Sequence, residues 1–81
     1  MSVKSKTCYV GVDVSKSSLD VYRPDTKASF PIENSQEGVS KLCKQLKRKR
    51  TRTIIVMEAP GGYQTLLLHE SQDVGLEASV V

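Results

Sequence analysis

Strand-like segments fill the first 32 residues of the chain. Residues 7–14 form a nearly continuous apolar run, and such runs are typical of strands that are covered on both faces. Shorter segments of alternating polarity follow at 19–23 and 28–32, and a Pro-Asp-Thr-Lys turn at 24–27 separates them. Together these segments predict an antiparallel meander of three strands.

Helical periodicity replaces this alternation in the next part of the chain. The apolar residues there follow the spacing of one buried helix face: Val39, Leu42, Cys43 and Leu46. Asn34 is predicted to cap this helix, because Glu37 lies three residues further on as the reciprocal partner of a capping box.

A strand, a helix and another strand are predicted after the first helix. Residues 53–57 are strongly strand-like, and this strand ends at Glu58. The Ala-Pro-Gly-Gly sequence at 59–62 breaks it, and a helix is predicted to begin there because proline is favourable at a first helical position. Gly75 suits the C-terminal cap of that helix, and residues 76–81 predict the last strand. The side chains predicted to point inward are Tyr63, Leu66, Leu67 and Val74.

The order β-β-β-α-β-α-β indicates an α/β fold with a mixed five-stranded sheet. Because helical crossovers join the last three strands, these strands are expected to run parallel to one another, with right-handed connections. If the first strand pairs with the fourth, the sheet order is 3-2-1-4-5 and both helices lie on one face. Nothing then covers the opposite face, so we expect a domain truncated after its fifth strand. We also expect self-association, since a bare apolar sheet face favours it.

Two carboxylates are predicted to meet in this topology. Asp13 and Glu58 stand at the ends of two strands that would be parallel neighbours, at the edge where α/β folds place their sites. Two acids in such a position repel each other unless a cation neutralises them. Mg²⁺ or Mn²⁺ is the expected cation, because both prefer hard oxygen ligands. A solvated or turn-capping role for each acid is the alternative.

Positive charge is concentrated in one segment. Seven of the twelve basic residues lie between positions 41 and 52, and no acidic residue lies among them. Such a cluster is typical of a surface that binds a polyanion. A solvated helix end that complements the helix dipole has the same composition. The candidate nucleic-acid contacts are Lys16, Lys47, Arg48, Lys49 and Arg50.

Other kinds of site have little support. Cys8 and Cys43 are far apart without a Cys-x-x-Cys motif, so two reduced thiols are expected rather than a zinc site. His69 is expected to be structural or exposed, and the serines of the first turn have no base to activate them. No apolar run reaches the ~20 residues of a membrane span, and no secretory signal is visible, so a cytoplasmic protein is expected.

Four motifs stand in order along the chain: Gly-Val-Asp-Val-Ser-Lys at 11–16, Leu-Asp-Val-Tyr at 19–22, Ile-Glu-Asn-Ser-Gln-Glu-Gly at 32–38 and Met-Glu-Ala-Pro-Gly-Gly-Tyr at 57–63. Together they resemble the N-terminal part of the DEDD transposases of bacterial insertion sequences, the family that also contains the Piv DNA invertases. The resemblance extends from Cys8 to Val81.

This resemblance implies a ribonuclease H-like catalytic domain of the RuvC type. Four acidic residues of that domain bind divalent metal for the cleavage and transfer of DNA strands. By motif, Asp13 is the first acid and Glu58 the second. The other two belong to an Asp-x-x-Asp motif without a counterpart here, so residues 1–81 are expected to be an incomplete N-terminal portion that is inactive alone. Pro60 replaces a threonine of the usual pattern and is expected to change only a local hydrogen bond.

The resemblance also implies partners and a setting. DNA is the expected substrate of a bacterial, cytoplasmic recombinase, and a guide RNA is a further possible partner. One alternative is part of an actin-like or sugar-kinase-like ATPase, which places Gly-x-Asp on its first hairpin but leaves Glu58 unexplained. Another is a small nucleic-acid-binding or dimerisation module that uses the basic end of the helix.

Overall fold

The computed structural model describes residues 6–47 and 51–81. Seven elements follow one another along the chain in the order that the polarity pattern predicts. They are β1 (Lys6–Val14), β2 (Ser18–Arg23), β3 (Ala28–Glu33), α1 (Gln36–Leu46), β4 (Thr51–Glu58), α2 (Thr65–Asp73) and β5 (Glu77–Val80).

The five strands form one mixed sheet in the order β3-β2-β1-β4-β5. β1 lies at its centre, antiparallel to β2 on one side and parallel to β4 on the other. β3 pairs antiparallel with β2, and β5 pairs parallel with β4. The chain is therefore an α/β protein in which a meander is continued by two helical crossovers.

The core lies on one side of this sheet. The buried strand residues all occupy one set of alternating positions, and the buried helix residues pack against them, so both helices cover the same face. Burial of each large apolar side chain contributes about 1.5–3 kcal/mol. The core consists of Val10, Val12, Val14, Leu19, Val21, Val39, Leu42, Cys43, Leu46, Ile55, Met57, Leu67 and Leu76.

The other face of the sheet is open, and it carries Ile54 and Val56 as well as polar side chains. Tyr9 and Tyr22 are 57% and 47% exposed there, and the outward positions near the strand ends carry acids. The prediction that residues 7–14 are covered on both faces is wrong within the described chain. Tyrosine and glycine read as apolar in that run, although here they occupy solvent-facing positions. The prediction that both helices cover one face and leave the other uncovered is confirmed within the described residues.

The start of α1 differs from the predicted capping box. The N-cap is Ser35, whose Oγ accepts a hydrogen bond from the Gly38 backbone N–H at 3.2 Å. Because the helix starts one residue later than predicted, the third helical position is a glycine rather than Glu37. Asn34 therefore stands outside the helix, and its side chain has other partners.

The second helix is shorter than predicted. It begins at Thr65, so Pro60 lies in the preceding loop, and Tyr63 is 45% exposed instead of buried. Its end is as predicted: Gly75 has a φ of +78° and donates to the Gln72 carbonyl, while Leu76 donates to the Ser71 carbonyl. This pair of bonds is the Schellman motif. Among the described residues, neither helix has the length and apolarity of a membrane span.

Both cysteines are free thiols, Cys43 buried and Cys8 half-buried. Burial, and to a smaller extent the nearby Glu70 carboxylate, raises the pKa of the Cys43 thiol from 9.0 to about 11. Cys43 therefore stays protonated at neutral pH and acts as a small core side chain.

Candidate functional site

Asp13 and Glu58 are direct neighbours across β1 and β4. They form the last register pair of the two parallel strands, and both are exposed. Residues paired in register point to the same face of a sheet, and adjacent strands lie about 4.8 Å apart. Both carboxylates therefore lie on the open face at the C-terminal edge of the sheet, as the sequence predicts.

Open space adjoins this pair. A pocket of about 370 Å³ is lined by Asp13, Glu58, Ala59, Pro60 and Val81. A second hollow of about 320 Å³ continues from it across the open face, over the backbone of Gly11 and beside Tyr22. The two acids thus stand where these two open hollows meet.

Asp20 is a third acid at this edge, and sequence reasoning did not single it out. It pairs in register with Asp13 across β1 and β2, is exposed, and lines the second hollow together with Asp13 and Glu58. A signal for it exists in the sequence, because counting outward from the serine turn of the hairpin places Asp20 opposite Asp13. Three like charges in a row across three strands make the edge strongly electronegative.

The donor chemistry of this edge fits a hard divalent cation. Carboxylates in a water-accessible cleft suit Mg²⁺ or Mn²⁺, which keep several waters when few protein ligands are available. The side chains are spread, however. Within the described ranges, three potential ligand atoms lie within 4.8 Å of one another in only one group, and that group is elsewhere. The edge therefore offers an open, partial set of ligands rather than a closed cage.

The closer group consists of His69, Glu70 and Asp73 on α2. His69 and Asp73 are exposed, and Glu70 accepts a hydrogen bond from Gln36 Nε2 at 2.7 Å. This helix covers the buried face of the sheet, whereas Asp13 and Glu58 point to the open face. The group is thus separate from the acidic edge, and its exposed side chains are those expected on a solvated helix surface.

Hydrogen bonds hold the two loops that follow the acids. After β1, the backbone N–H and the Oγ of Ser15 both donate to the Ser18 carbonyl at 2.9 Å. After β4, Gly62 adopts a φ of +79° and donates to the Ala59 carbonyl at 3.0 Å. The ring of Tyr63 lies so close to Gly61 that an added Cβ there would be 2.9 Å from it. Both loops are therefore compact turns at the mouth of the pocket.

The predicted nucleic-acid contacts divide between opposite ends of the sheet. Lys16 is exposed in the turn after Asp13, at the acidic edge. Lys47 ends α1 at the other edge, where its Nζ donates to the Gly75 carbonyl at 3.1 Å. The remaining three candidates, Arg48, Lys49 and Arg50, lie outside the described residues.

Arg52 lies on β4 at the end of the sheet opposite the acids. It forms a two-bond ion pair with Glu77 on the neighbouring strand, with Nη2 donating to Oε1 at 2.8 Å. The pair raises the pKa of Arg52 and lowers the pKa of Glu77, mainly through these hydrogen bonds. Arg52 precedes Glu58 by six positions of extended strand, or about 20 Å. A duplex that contacts both ends would therefore span about 6 base pairs.

Comparison with known proteins gives one family. The model of the DEDD family of IS110 type, described as "Transposase", matches residues 10–81. No curated protein matches the chain. The matched range includes both Asp13 and Glu58, as well as Asp20 and the two loops at the pocket.

Proposed function

Because the chain belongs to the DEDD transposase family, we propose that Asp13 and Glu58 are the first two carboxylates of a divalent-metal site for DNA strand cleavage and transfer. The observation that supports this most directly is their register pairing at the C-terminal edge of two parallel strands. This is the edge at which α/β folds concentrate their active sites.

The proposed domain is ribonuclease H-like, of the RuvC type. Its support is a central strand with an acid near its C-terminal end, flanked by an antiparallel hairpin partner and a parallel strand that carries the second acid. The family resemblance assigns the remaining two acids to an Asp-x-x-Asp motif. Residues 1–81 contain no such motif, so on this proposal they hold the first half of the ligand set.

The residues of the edge have distinct tasks in this proposal. Asp13 and Glu58 bind the metal, which when bound neutralises phosphate charge and activates the attacking oxygen. Asp20 adds negative charge beside Asp13 and so raises the local attraction for cations. Lys16 is exposed in the adjoining turn and is proposed to contact a phosphate of the incoming strand.

DNA is the substrate class that the family implies. The residues of the basic segment, Lys47 to Arg50, are proposed as sequence-independent phosphate contacts. Of these, Lys47 lies among the described residues, at the end of the sheet opposite the acids. A guide RNA and self-association remain predictions, and no contact within the described residues favours either. The kinase-like alternative is not favoured, because the matched family is a transposase family and Glu58 has no role in the alternative.

The test measures binding of Mn²⁺ to the chain by isothermal titration calorimetry and by paramagnetic broadening of NMR signals. Broadening is expected to centre on residues around Asp13 and Glu58, and Asp13→Asn or Glu58→Gln should weaken binding about tenfold or more. Glu77→Gln is the control, since it removes one exposed acid on the same face near the opposite edge. It also breaks the ion pair with Arg52, so its own loss of stability is measured without metal.

Two results would contradict the proposal. One is Mn²⁺ binding that Asp13→Asn and Glu58→Gln leave unchanged. The other is a thermal shift caused by Mg²⁺-ATP and not by Mn²⁺ with duplex DNA, which would favour the kinase-like alternative instead.

A further inference from the structure

Asn34 connects the two loops that follow the acids. We infer that it is a positioning residue, which holds the ends of β1 and β4 so that Asp13 and Glu58 can bind one cation together. This inference rests on the proposed function of the acidic edge and assigns to that edge a residue that is neither an acid nor a ligand.

Three hydrogen bonds make the connection. The backbone N–H of Asn34 donates to the Ser17 carbonyl at 3.0 Å. Its side-chain Nδ2 donates to the Ser15 carbonyl at 2.9 Å and to the Tyr63 carbonyl at 3.4 Å. Ser15 lies two residues after Asp13, and Tyr63 lies five residues after Glu58. One amide group therefore bridges the loop of the first acid and the loop of the second.

The position of this bridge matters because the ladder between the strands ends at the acids. Asp13 and Glu58 are the last register pair of β1 and β4, so the backbone bonds of that ladder do not extend beyond them. The turn after Asp13 is rich in serine, and the loop after Glu58 contains two adjacent glycines. Without a hydrogen bond between the loops beyond this ladder, the end of β1 can move away from the end of β4. The distance between the two carboxylates then varies.

The orientation of the amide is determined by its surroundings. An amide nitrogen has two N–H groups to donate, and here they face two carbonyl oxygens. The reversed orientation would direct Oδ1 at those same carbonyls, and no hydrogen atom would lie between the oxygens. Oδ1 is buried without a hydrogen-bond partner in the described chain. The two bonds that Nδ2 donates are therefore the side-chain hydrogen bonds that hold the amide in this position.

Ser35 provides a matched control for a merely structural role. It caps α1 through its bond from the Gly38 N–H, and loss of such a cap destabilises a protein. Its hydroxyl also donates to Glu33, but no hydrogen bond of the described structure links its side chain to either acid-bearing loop. A variant of Ser35 therefore lowers stability one position away from Asn34 while leaving the bridge between the loops in place.

The experiment measures Mn²⁺ affinity in the Asn34→Ala, Asn34→Leu and Ser35→Ala variants of the 81-residue chain, each with and without Glu58→Gln. Asn34→Leu keeps the approximate size of the side chain and adds no charge, but it removes both donors. We expect both Asn34 variants to weaken Mn²⁺ binding about tenfold, which is typical for loss of a partner that orients metal ligands. In the Asn34 variants, adding Glu58→Gln should weaken Mn²⁺ binding little further, because Asp13 and Glu58 no longer bind the same cation together. Ser35→Ala should leave the affinity and the effect of Glu58→Gln unchanged.

The outcomes separate this inference from the function on which it rests. If Mn²⁺ binding needs both acids but Asn34→Ala behaves like Ser35→Ala, the inference is wrong and the proposed function stands. If the affinity for Mn²⁺ depends on neither Asp13 nor Glu58, the proposed function fails. Amide hydrogen exchange then tests whether Asn34 bridges the two loops. Faster exchange at Ser15 and Gly62 in Asn34→Ala, but not in Ser35→Ala, supports the bridge, and equal exchange contradicts it.

Discussion

Asp13 and Glu58 face the same side of the sheet at the last register position that β1 and β4 share. Both are exposed, and Asp20 continues the row on the next strand. The like charges repel one another in the absence of a cation. A divalent ion that binds between them should therefore stabilise the fold, and this leads to the first prediction.

Mn²⁺ should raise the thermal midpoint of unfolding of the wild-type chain. At a free concentration ten times its dissociation constant, binding to the folded state alone contributes about 1.4 kcal/mol. Asp13→Asn should lose most of this shift, because a tenfold weaker site contributes about 0.4 kcal/mol at the same concentration. Its stability without metal should stay the same or rise slightly because a repulsive charge is removed. Differential scanning fluorimetry with and without Mn²⁺ measures both effects. Glu77→Gln should keep the shift, and an equal shift in Asp13→Asn would argue against metal at this edge.

Gly75 and Gly11 should respond oppositely to alanine. Gly75 has a φ of +78°, and an added Cβ would lie 3.2 Å from Lys47 Nζ. Gly75→Ala should therefore lower the free energy of unfolding by about 1–2 kcal/mol. An added Cβ at Gly11 meets nothing within 4 Å, so Gly11→Ala should be neutral or stabilising by up to about 0.5 kcal/mol. Urea denaturation compares the two, and equal losses would contradict the assigned backbone conformation.

Cys43 should make stability fall at high pH. Its pKa is raised from 9.0 to about 11 in the folded chain, so the folded state holds this proton more tightly than the unfolded state does. This contribution to the free energy of unfolding is complete below pH 9 and is lost as pH rises toward 11, by about 2–3 kcal/mol in all. Urea denaturation at pH 8 and pH 10.5 measures the loss. Cys43→Ala should be less stable at both values, because it leaves a cavity, but should lack this part of the pH dependence.

The basic segment should bind DNA in a salt-dependent way. Changing Arg48, Lys49 and Arg50 together to glutamine should weaken binding to any duplex and reduce the salt slope by about 0.9 for each phosphate that is no longer neutralised. Fluorescence anisotropy at several NaCl concentrations measures this. Lys47 is left unchanged because it also holds the Gly75 carbonyl. In the absence of divalent metal, Asp13→Asn should not weaken this binding. An unchanged salt slope in the triple variant would exclude these residues as phosphate contacts.

The elements and the acid pair follow largely from the sequence. Residue alternation, turn residues and helical spacing are local signals, so they predicted seven elements in order and placed Asp13 and Glu58 at the ends of strands. Gly75 was assigned correctly, since a left-handed residue after a helix is a strong local preference for glycine.

The predictions that were wrong concern positions where two residues are equally suited to one role, or where the hydrogen-bond partners are distant in sequence. Asn34 and Ser35 are both good caps, and the choice between them depends on bonds from Asn34 to Ser15 and Tyr63, which are 19 and 29 positions away. Tyr63 has the spacing of a buried helix residue, although the loop before α2 leaves it 45% exposed and its ring against Gly61.

The sequence by itself thus determined which segments are strands and helices and which acids end the central strands, because those properties depend on nearest neighbours and periodicity. Only the tertiary structure decided that Asp20 joins the row of acids and that Asn34 bridges the two loops. These features depend on which distant atoms meet at a strand end. The pairing of Asp13 with Glu58 was predictable from the order of the strands, whereas the means of holding the pair together was not.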